Sequence, residues 1–349
     1  MERIMKKLMT VAATLVAIPA IAATATIDAP TIYGKLNRVA LYTDNENSNR
    51  TSFSGFVDVD SSESRLGATG KWGTEGIEGT YVLEMGLNSS KSNSGNDYRI
   101  RMRQAAVGAK TSFGTFKMGQ TYTPLDYVML KSDPLSSTVA SMAGSDTSAR
   151  IDGAASGGLG FRYRARTDMF SYETPSMGGL TIALSTDRGN GNDNDPTANY
   201  GDTHYSGLVR YQRKMDKVDL DVYAGYDQWA SASTEDSNYT LAGVNLGLGS
   251  FKINLGYSIE NNDTTVADSE INRILAGITY MLNKNVFSVT YQNRDEKDLN
   301  NDYTQIAAHY RYMLNKNIDF NITYLTYEVD TGATQNDASM AAAGVQLKF

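Results

Sequence analysis

The chain has 349 residues, 41% hydrophobic and 20% charged, with a formal net charge of −7 and no cysteine. An acidic balance argues against nucleic acid as a partner, and the missing thiols exclude a disulfide framework or a thiolate metal site. The length would allow two domains, but no linker, charge block or proline-rich stretch marks a boundary.

The opening MERIMKKLMTVAATLVAIPAIAA carries Arg3, Lys6 and Lys7, then an apolar run from Leu8 to Ile18, then Pro19 and small residues. This is the pattern of a secretory signal peptide, residues 1–22, with cleavage expected after Ala22 or Ala23. A single exported domain, 23–349, follows. Losing three basic residues with Glu2 leaves that domain more acidic than the whole. Past the signal no run of about 18 apolar residues occurs, so membrane-spanning helices are excluded and a closed barrel is the other way to cross a bilayer.

From residue 31 the chain reads as strands, because side chains of extended segments alternate between two faces. Arg65 opposes Leu66. Glu78, Thr80 and Glu84 share a face opposite Tyr81 and Leu83, and Arg99, Arg101 and Arg103 share one opposite Ile100 and Met102. A polar loop of about 38 residues, Thr123 to Gly160, is too long to be idle in a compact barrel. Further on, Val218, Leu220, Val222, Ala224 and Tyr226 oppose Asp219, Asp221, Tyr223 and Asp227. Phe251, Ile253, Leu255, Tyr257 and Ile259 oppose Lys252, Asn254, Ser258 and Glu260, and Ile318, Phe320, Ile322 and Tyr324 oppose Asp319, Asn321 and Thr323. The chain ends with Val345, Leu347 and Phe349 on one side of a strand and Gly344, Gln346 and Lys348 on the other.

A soluble antiparallel sheet shows the same alternation. The number and length of the segments, roughly sixteen of about ten residues each, suit a tilted strand that crosses a bilayer. Short turns at 73–76, 110–113, 174–178, 213–217, 248–250, 282–285 and 313–316 alternate with long polar loops such as TDRGNGNDNDPTANYGD and NRDEKDLNNDY. The reading is all-β: a transmembrane antiparallel β-barrel of about 16 strands. Charges on the lipid side cost about 2–4 kcal/mol at mid-depth, so Arg65, Arg101, Arg103 and Glu84 are expected to face the lumen. The 22 tyrosines, many at strand ends, suit a membrane interface as well as plain strand propensity. YMLNKN occurs twice, at 280–285 and 312–317, each time as an expected tight turn.

In their order along the chain, TIYGKLNRVALY, SRLGATGKWGTEGIEGTYVLEMG, RMRQAAVGAKTSFGTFKMGQ, YETPSMGGLTIALS, the YMLNKN turns and the final aromatic residue resemble the Gram-negative general porins over essentially the whole mature chain. The resemblance implies sixteen strands, a homotrimer in the outer membrane, and a third loop folded inward to narrow each pore. It implies a basic constriction wall at Lys35, Arg65 and Arg103, to which the alternation adds Arg101. Gln120, after Gly119, stands where many relatives carry Arg and would weaken that wall. Acids of the third loop would stand opposite, Asp133 and Asp146 being favoured over Asp126 and Asp152, with Glu84 also on the pore. Phe349 would close the last strand on the first and form part of the signal read by the barrel assembly machinery. Outer-membrane lipid and lipopolysaccharide would surround the barrel.

The implied function is passive diffusion of ions and small hydrophilic solutes, and the acidic excess suggests a mild cation preference. No cofactor or metal spacing is visible. An enzyme is disfavoured because the only histidines, His204 and His309, lie far apart in sequence without a nucleophile motif. A substrate-specific channel for sugars or organic acids, with Phe161, Tyr163 and Tyr223 as a lumen track, is the closer alternative; a structural or adhesin barrel is another.

Overall fold

The computed structural model describes residues 26–45, 52–57, 64–87, 100–142, 159–161, 166–188, 203–230, 237–262, 269–332 and 335–349. The signal segment, Arg99, Asp146, Asp152 and Tyr163 lie outside them. Among the described residues no helix is long and apolar enough to cross a membrane.

β1 (Thr26–Ile27) and β2 (Thr31–Asn45) make one stave. β3 (Phe53–Val57) and β4 (Ser64–Thr74) make the next, since both pair with β2. Each further strand is a stave of its own: β5 (Ile77–Leu87), β6 (Ile100–Thr111), β7 (Gly114–Thr121), β8 (Thr167–Glu173), β9 (Leu180–Arg188), β10 (Thr203–Met215), β11 (Val218–Ala230) and β12 (Ser237–Leu248). The series continues through β13 (Phe251–Asn262), β14 (Ser269–Leu282), β15 (Asn285–Glu296), β16 (Asn301–Met313), β17 (Ile318–Asp330) and β18 (Gln335–Lys348). Helix α1 (Pro124–Ser132) lies between β7 and β8. Each stave pairs antiparallel with the next, and β18 returns to β2 from Ala338↔Asn45 to Lys348↔Lys35. The sixteen staves therefore form a closed barrel with no free edge.

The last residue completes that seam. The Phe349 N–H donates to the Gly34 carbonyl at 3.1 Å, and the Phe349 carbonyl accepts from the Gly34 N–H at 2.9 Å. The ring lies over Gly34, where a Cβ would come within 2.3 Å of it. Trp72 over Gly79 and Tyr81 over Gly70 repeat the arrangement on the same outer face.

The expected alternation holds around the wall. Ile32, Phe56, Leu83, Met102, Val107, Met118, Leu255, Ile278, Val289, Ile322 and Val345 stand exposed on the outside, Phe56 at 85%. An apolar belt this continuous is far larger than the patches soluble proteins expose, and it fits hydrocarbon. Near the short turns, aromatic pairs sit side by side across strands: Phe116 with Tyr172 at 5.0 Å, Phe251 with Tyr280 at 4.7 Å and Phe287 with Tyr310 at 5.2 Å. That banding places these tyrosines in a girdle.

Five of the short connections are two-residue hairpin loops, such as Glu75–Gly76 with Gly76 at φ 77°. The YMLNKN copies differ, contrary to expectation. The first turns at Asn283 and Lys284, with Asn283 at φ 53°. The second opens from Met313 to Ile318, its Asn315 carboxamide accepting from the N–H groups of Asn317 and Ile318. The neighbouring seam accounts for the difference: Lys348 N–H donates to the Asn317 carbonyl at 2.7 Å, and the Asn317 amide donates to the Lys348 carbonyl at 2.6 Å.

Candidate functional site: a constriction inside the barrel

The third loop leaves β7 as a helix the strand pattern did not reveal. Thr123 caps α1, accepting from the Asp126 N–H at 3.1 Å and donating to the Asp126 carboxylate at 2.8 Å, with Pro124 opening the first turn. The signal was in the sequence: Thr-Pro-Leu-Asp is a capping motif with proline at the first helical position. The capping role buries Asp126 instead of offering it to the pore.

From there the loop follows the inner wall. Leu125, Val128, Met129, Met142 and Phe161 pack on Ala183, Leu208, Tyr223, Tyr239, Leu241 and Leu275. Leu135, Val139, Ala140 and Leu159 pack on Val39, Leu41, Val57, Ala307, Leu325, Tyr327, Val329, Met340 and Ala342. Wall glycines supply the notches: a Cβ at Gly225, Gly256 or Gly277 would come within 2.1 Å of Leu125, 2.1 Å of Phe161 and 2.7 Å of Pro134 respectively. Polar wall groups fix the backbone. Gln292 and Gln305 donate to the Ala140 carbonyl at 3.1 and 3.0 Å, and Tyr223 and Asn245 donate to the Ser132 hydroxyl at 2.7 and 3.0 Å.

Asp133 organises the turn after the helix. One carboxylate oxygen accepts from the Leu135 N–H at 2.8 Å; the other accepts from the Met142 N–H at 2.8 Å and the Ser141 hydroxyl at 3.1 Å. It is 3% exposed, so the expectation that it lines the pore is corrected: both oxygens are consumed inside the loop. Burial pushes its pKa up to about 6, against the three hydrogen bonds, which lower it. Over the loop's described length, the exposed residues are Tyr127, Lys131 and Ser137, with the Lys131 ammonium 4.4 Å from the Tyr127 ring centroid. Phe161 and Tyr223, expected as a lumen track, are instead packed between loop and wall and fully buried.

Across the lumen, charges gather on β4, β5 and β6. Glu84, 2% exposed, is the hub. It accepts from Arg103 Nε at 2.7 Å, Tyr33 Oη at 2.9 Å and Gln104 Nε2 at 3.3 Å, and Arg65 Nη1 lies 3.7 Å away. The Tyr122 hydroxyl accepts from Arg103 at 3.3 Å and from Arg166 at 2.9 Å, tying the start of the loop to the cluster. Strict alternation could not place both Arg103 and Gln104 on Glu84. A bulge does so: the register slips between Glu84 and Met85, which pair with Gln104 and Met102, leaving Arg103 as the extra residue. Gln120 pairs with Ala105 on the outer face and donates to the Met102 carbonyl at 3.3 Å, so it belongs to the bulge and not to the pore wall. Lys35 sits opposite Arg65 in the ladder, and Arg101 lies exposed on the lumen side. Arg166, just before β8, was not expected from the sequence.

On the loop-bearing side, lumen charges are matched in pairs. Arg210 forks onto Asp221 at 2.7 and 2.6 Å, Arg273 meets Glu260 at 2.7 Å, and Arg294 meets Glu296 at 2.5 Å. His204 contacts Asp187 at 2.8 Å, and His309 meets the Thr323 hydroxyl at 2.8 Å on a distant stave.

The Gram-negative porin family pattern matches residues 9–332, and the chain belongs to that family. No curated protein sequence matches it. Among solved structures it is similar to the anion-selective porin from Comamonas acidovorans, at 17% identity and TM-score 0.72, over 93% of this chain and 100% of that one. It is also similar to the outer membrane channel DcaP of Acinetobacter baumannii, at 13% identity and TM-score 0.68, over 95% and 99%. A third match is the trimer form of OmpT, an outer membrane protein of Vibrio cholerae, at 15% identity and TM-score 0.62, over 93% and 100%. The protein is thus a multi-pass barrel of the outer membrane and a channel for solute diffusion.

Proposed function

We propose that the barrel is a general diffusion porin for small hydrophilic solutes, narrowed where the third loop faces the Glu84 cluster, and that this constriction favours anions. The whole-chain charge suggested cations. The field that an ion meets is local, however, and the carrying observation is that Arg65 and Arg103 share one described carboxylate, Glu84, with Arg166 joined to Arg103 through the Tyr122 hydroxyl. Lys35 and Arg101 add to the same wall, while Asp126 and Asp133 are spent inside the loop, which presents Tyr127 and Lys131. Rings of charge at the narrowest point set selectivity. The likeness to an anion-selective porin supports this reading. Reversal potentials in a KCl gradient test it: chloride is expected to pass in preference to potassium, and Arg65→Ala with Arg103→Ala is expected to move the potential toward cations and raise conductance. Cation selectivity of the unaltered channel would overturn it. Flux that falls smoothly with solute size separates general diffusion from a saturable, substrate-specific channel.

The chain assembles as a homotrimer through the outer face of β18, β2 and β4. Arg38 stands exposed there, flanked by Leu36 and Ala40 and paired with Val345. The small outward residues Ala40, Ala341 and Ala343 allow close approach. Ala343→Trp is expected to leave a folded monomer on seminative gels. Lipopolysaccharide surrounds the outer rim, and Phe349 acts as the assembly signal; Phe349→Ala is expected to slow membrane insertion while leaving the finished barrel's conductance unchanged.

A further inference from the structure

On the outer wall, away from the proposed trimer face, β10 to β14 form a groove of about 650 Å³. Its outward lining is Val209, Tyr211, Ala224, Ala242, Leu255 and Ile274, with further valine, tyrosine and alanine side chains beside them. The depression has a sequence cause. Ala224 and Ala242 are cross-strand neighbours, flanked across the ladder by Val209 and Tyr257, so small side chains meet where the belt otherwise carries Leu, Ile, Val and Tyr.

The groove lies within the membrane-spanning belt, which makes its occupant apolar and narrow. Its rim toward the short turns is not apolar. Tyr211 ends the groove there, and Arg213, the next outward residue of β10, is exposed with its guanidinium 3.5 Å from the Tyr211 hydroxyl. The adjoining turn holds Asp216 and Lys217, both exposed, so the rim is net positive with Arg213 counted. Short turns mark the periplasmic end of such barrels. An apolar groove with a cationic, hydroxyl-bearing rim at the level of lipid headgroups matches one molecule that is greasy along its length and anionic at its end.

We propose that this groove seats one acyl chain of an anionic phospholipid from the periplasmic leaflet, its phosphate at Arg213 and Tyr211. Lipopolysaccharide would bring its phosphates to the opposite rim, and a second copy of the chain would leave the cationic rim unmatched.

Native mass spectrometry of the channel, purified in mild detergent and titrated with phosphatidylglycerol, tests this. One lipid retained per chain is expected, with phosphatidylcholine held more weakly. Ala242→Phe fills the groove and is expected to weaken retention at least about tenfold, or 1.4 kcal/mol, with conductance unchanged. Ala224→Leu serves the same purpose should the phenylalanine prevent folding, as read from heat-modifiable migration. Arg213→Gln is expected to remove the preference for the anionic headgroup. The proposal is overturned by absence of a retained phospholipid, by equal retention in the filled variants, by retention of lipid A in its place, or by a larger oligomer that Ala242→Phe dissolves.

Discussion

The two sides of the lumen are built from the same alternating strands and behave oppositely. Along β4 to β6 the inward residues include the charged cluster of Arg65, Glu84 and Arg103, held together by its own hydrogen bonds and ion pairs, with Arg101 exposed beside it. Along β9 to β14 and again from β16 to β18 and β2, inward positions hold Ala183, Leu208, Leu241, Leu275, Leu325, Val329, Met340, Val39 and Leu41, and the third loop lies on them. A strand with apolar residues on both faces needs two apolar neighbours, lipid outside and something else within. Lumen hydrophobicity therefore marks where the loop is seated, and the cluster of several basic groups around Glu84, unlike the one-to-one pairs of the loop-bearing side, marks the wall that faces it. Pore width follows from the first and selectivity from the second.

If that division is right, damage to the seat should widen the pore more than any change to the charged side. Leu135 is fully buried between the loop and the wall formed by β2, β17 and β18. Leu135→Ala is expected to cost about 2–5 kcal/mol of docking, seen as a large rise in single-channel conductance and open-channel noise while the barrel keeps its heat-modifiable migration. Gly256→Val attacks the opposite seat by pushing a side chain into Phe161, at about 1–3 kcal/mol. Unchanged conductance in both variants would show that the loop is held by its ends and not by its apolar face.

On the charged side, Glu84→Gln sharpens the comparison. It removes the carboxylate that Arg103, Tyr33 and Gln104 share, a loss of about 1.5–3 kcal/mol for a hydrogen bond to a charged group. Anion preference is expected to increase, because the guanidinium groups lose one carboxylate partner, with little gain in conductance. A shift toward cations would contradict the proposed field.

Much of this was legible in period-two alternation: the strands of the wall, its outward belt, and the inward setting of Arg65, Glu84 and Arg103; the seam at Phe349 was implied by the resemblance to porins. What escaped depends on where backbone departs from the regular strand. The bulge at Arg103 leaves Gln104 on a face that counting from the neighbouring strand residues does not give. The helix after Thr123 was announced by its cap, yet a polar loop hid it. Asp133 could be read as a loop acid, but its burial depends on contacts with Ser141 and Met142 that no local pattern carries. The doubly apolar stretch Val39 to Tyr42 was the available sign of the loop's seat.

The smallest expected effect concerns Asp133, and its sign is the opposite of what its hydrogen bonds suggest. Three donors stabilise the carboxylate, but burial outweighs them and the group titrates near pH 6 when the loop is docked, against an ordinary value of 3.8. Between those two values the docked loop binds the proton more tightly than the released loop, so docking is strongest below about pH 4 and weakens as pH rises through 6. Open-channel noise is therefore expected to grow modestly from pH 4 to pH 7. Asp133→Asn is expected to flatten that profile, since an amide does not ionise, while raising noise at every pH because its NH₂ cannot accept from Met142. Noise that instead falls as pH rises would mean the hydrogen bonds prevail over burial, and that the turn after α1 is held by a charge rather than in spite of one.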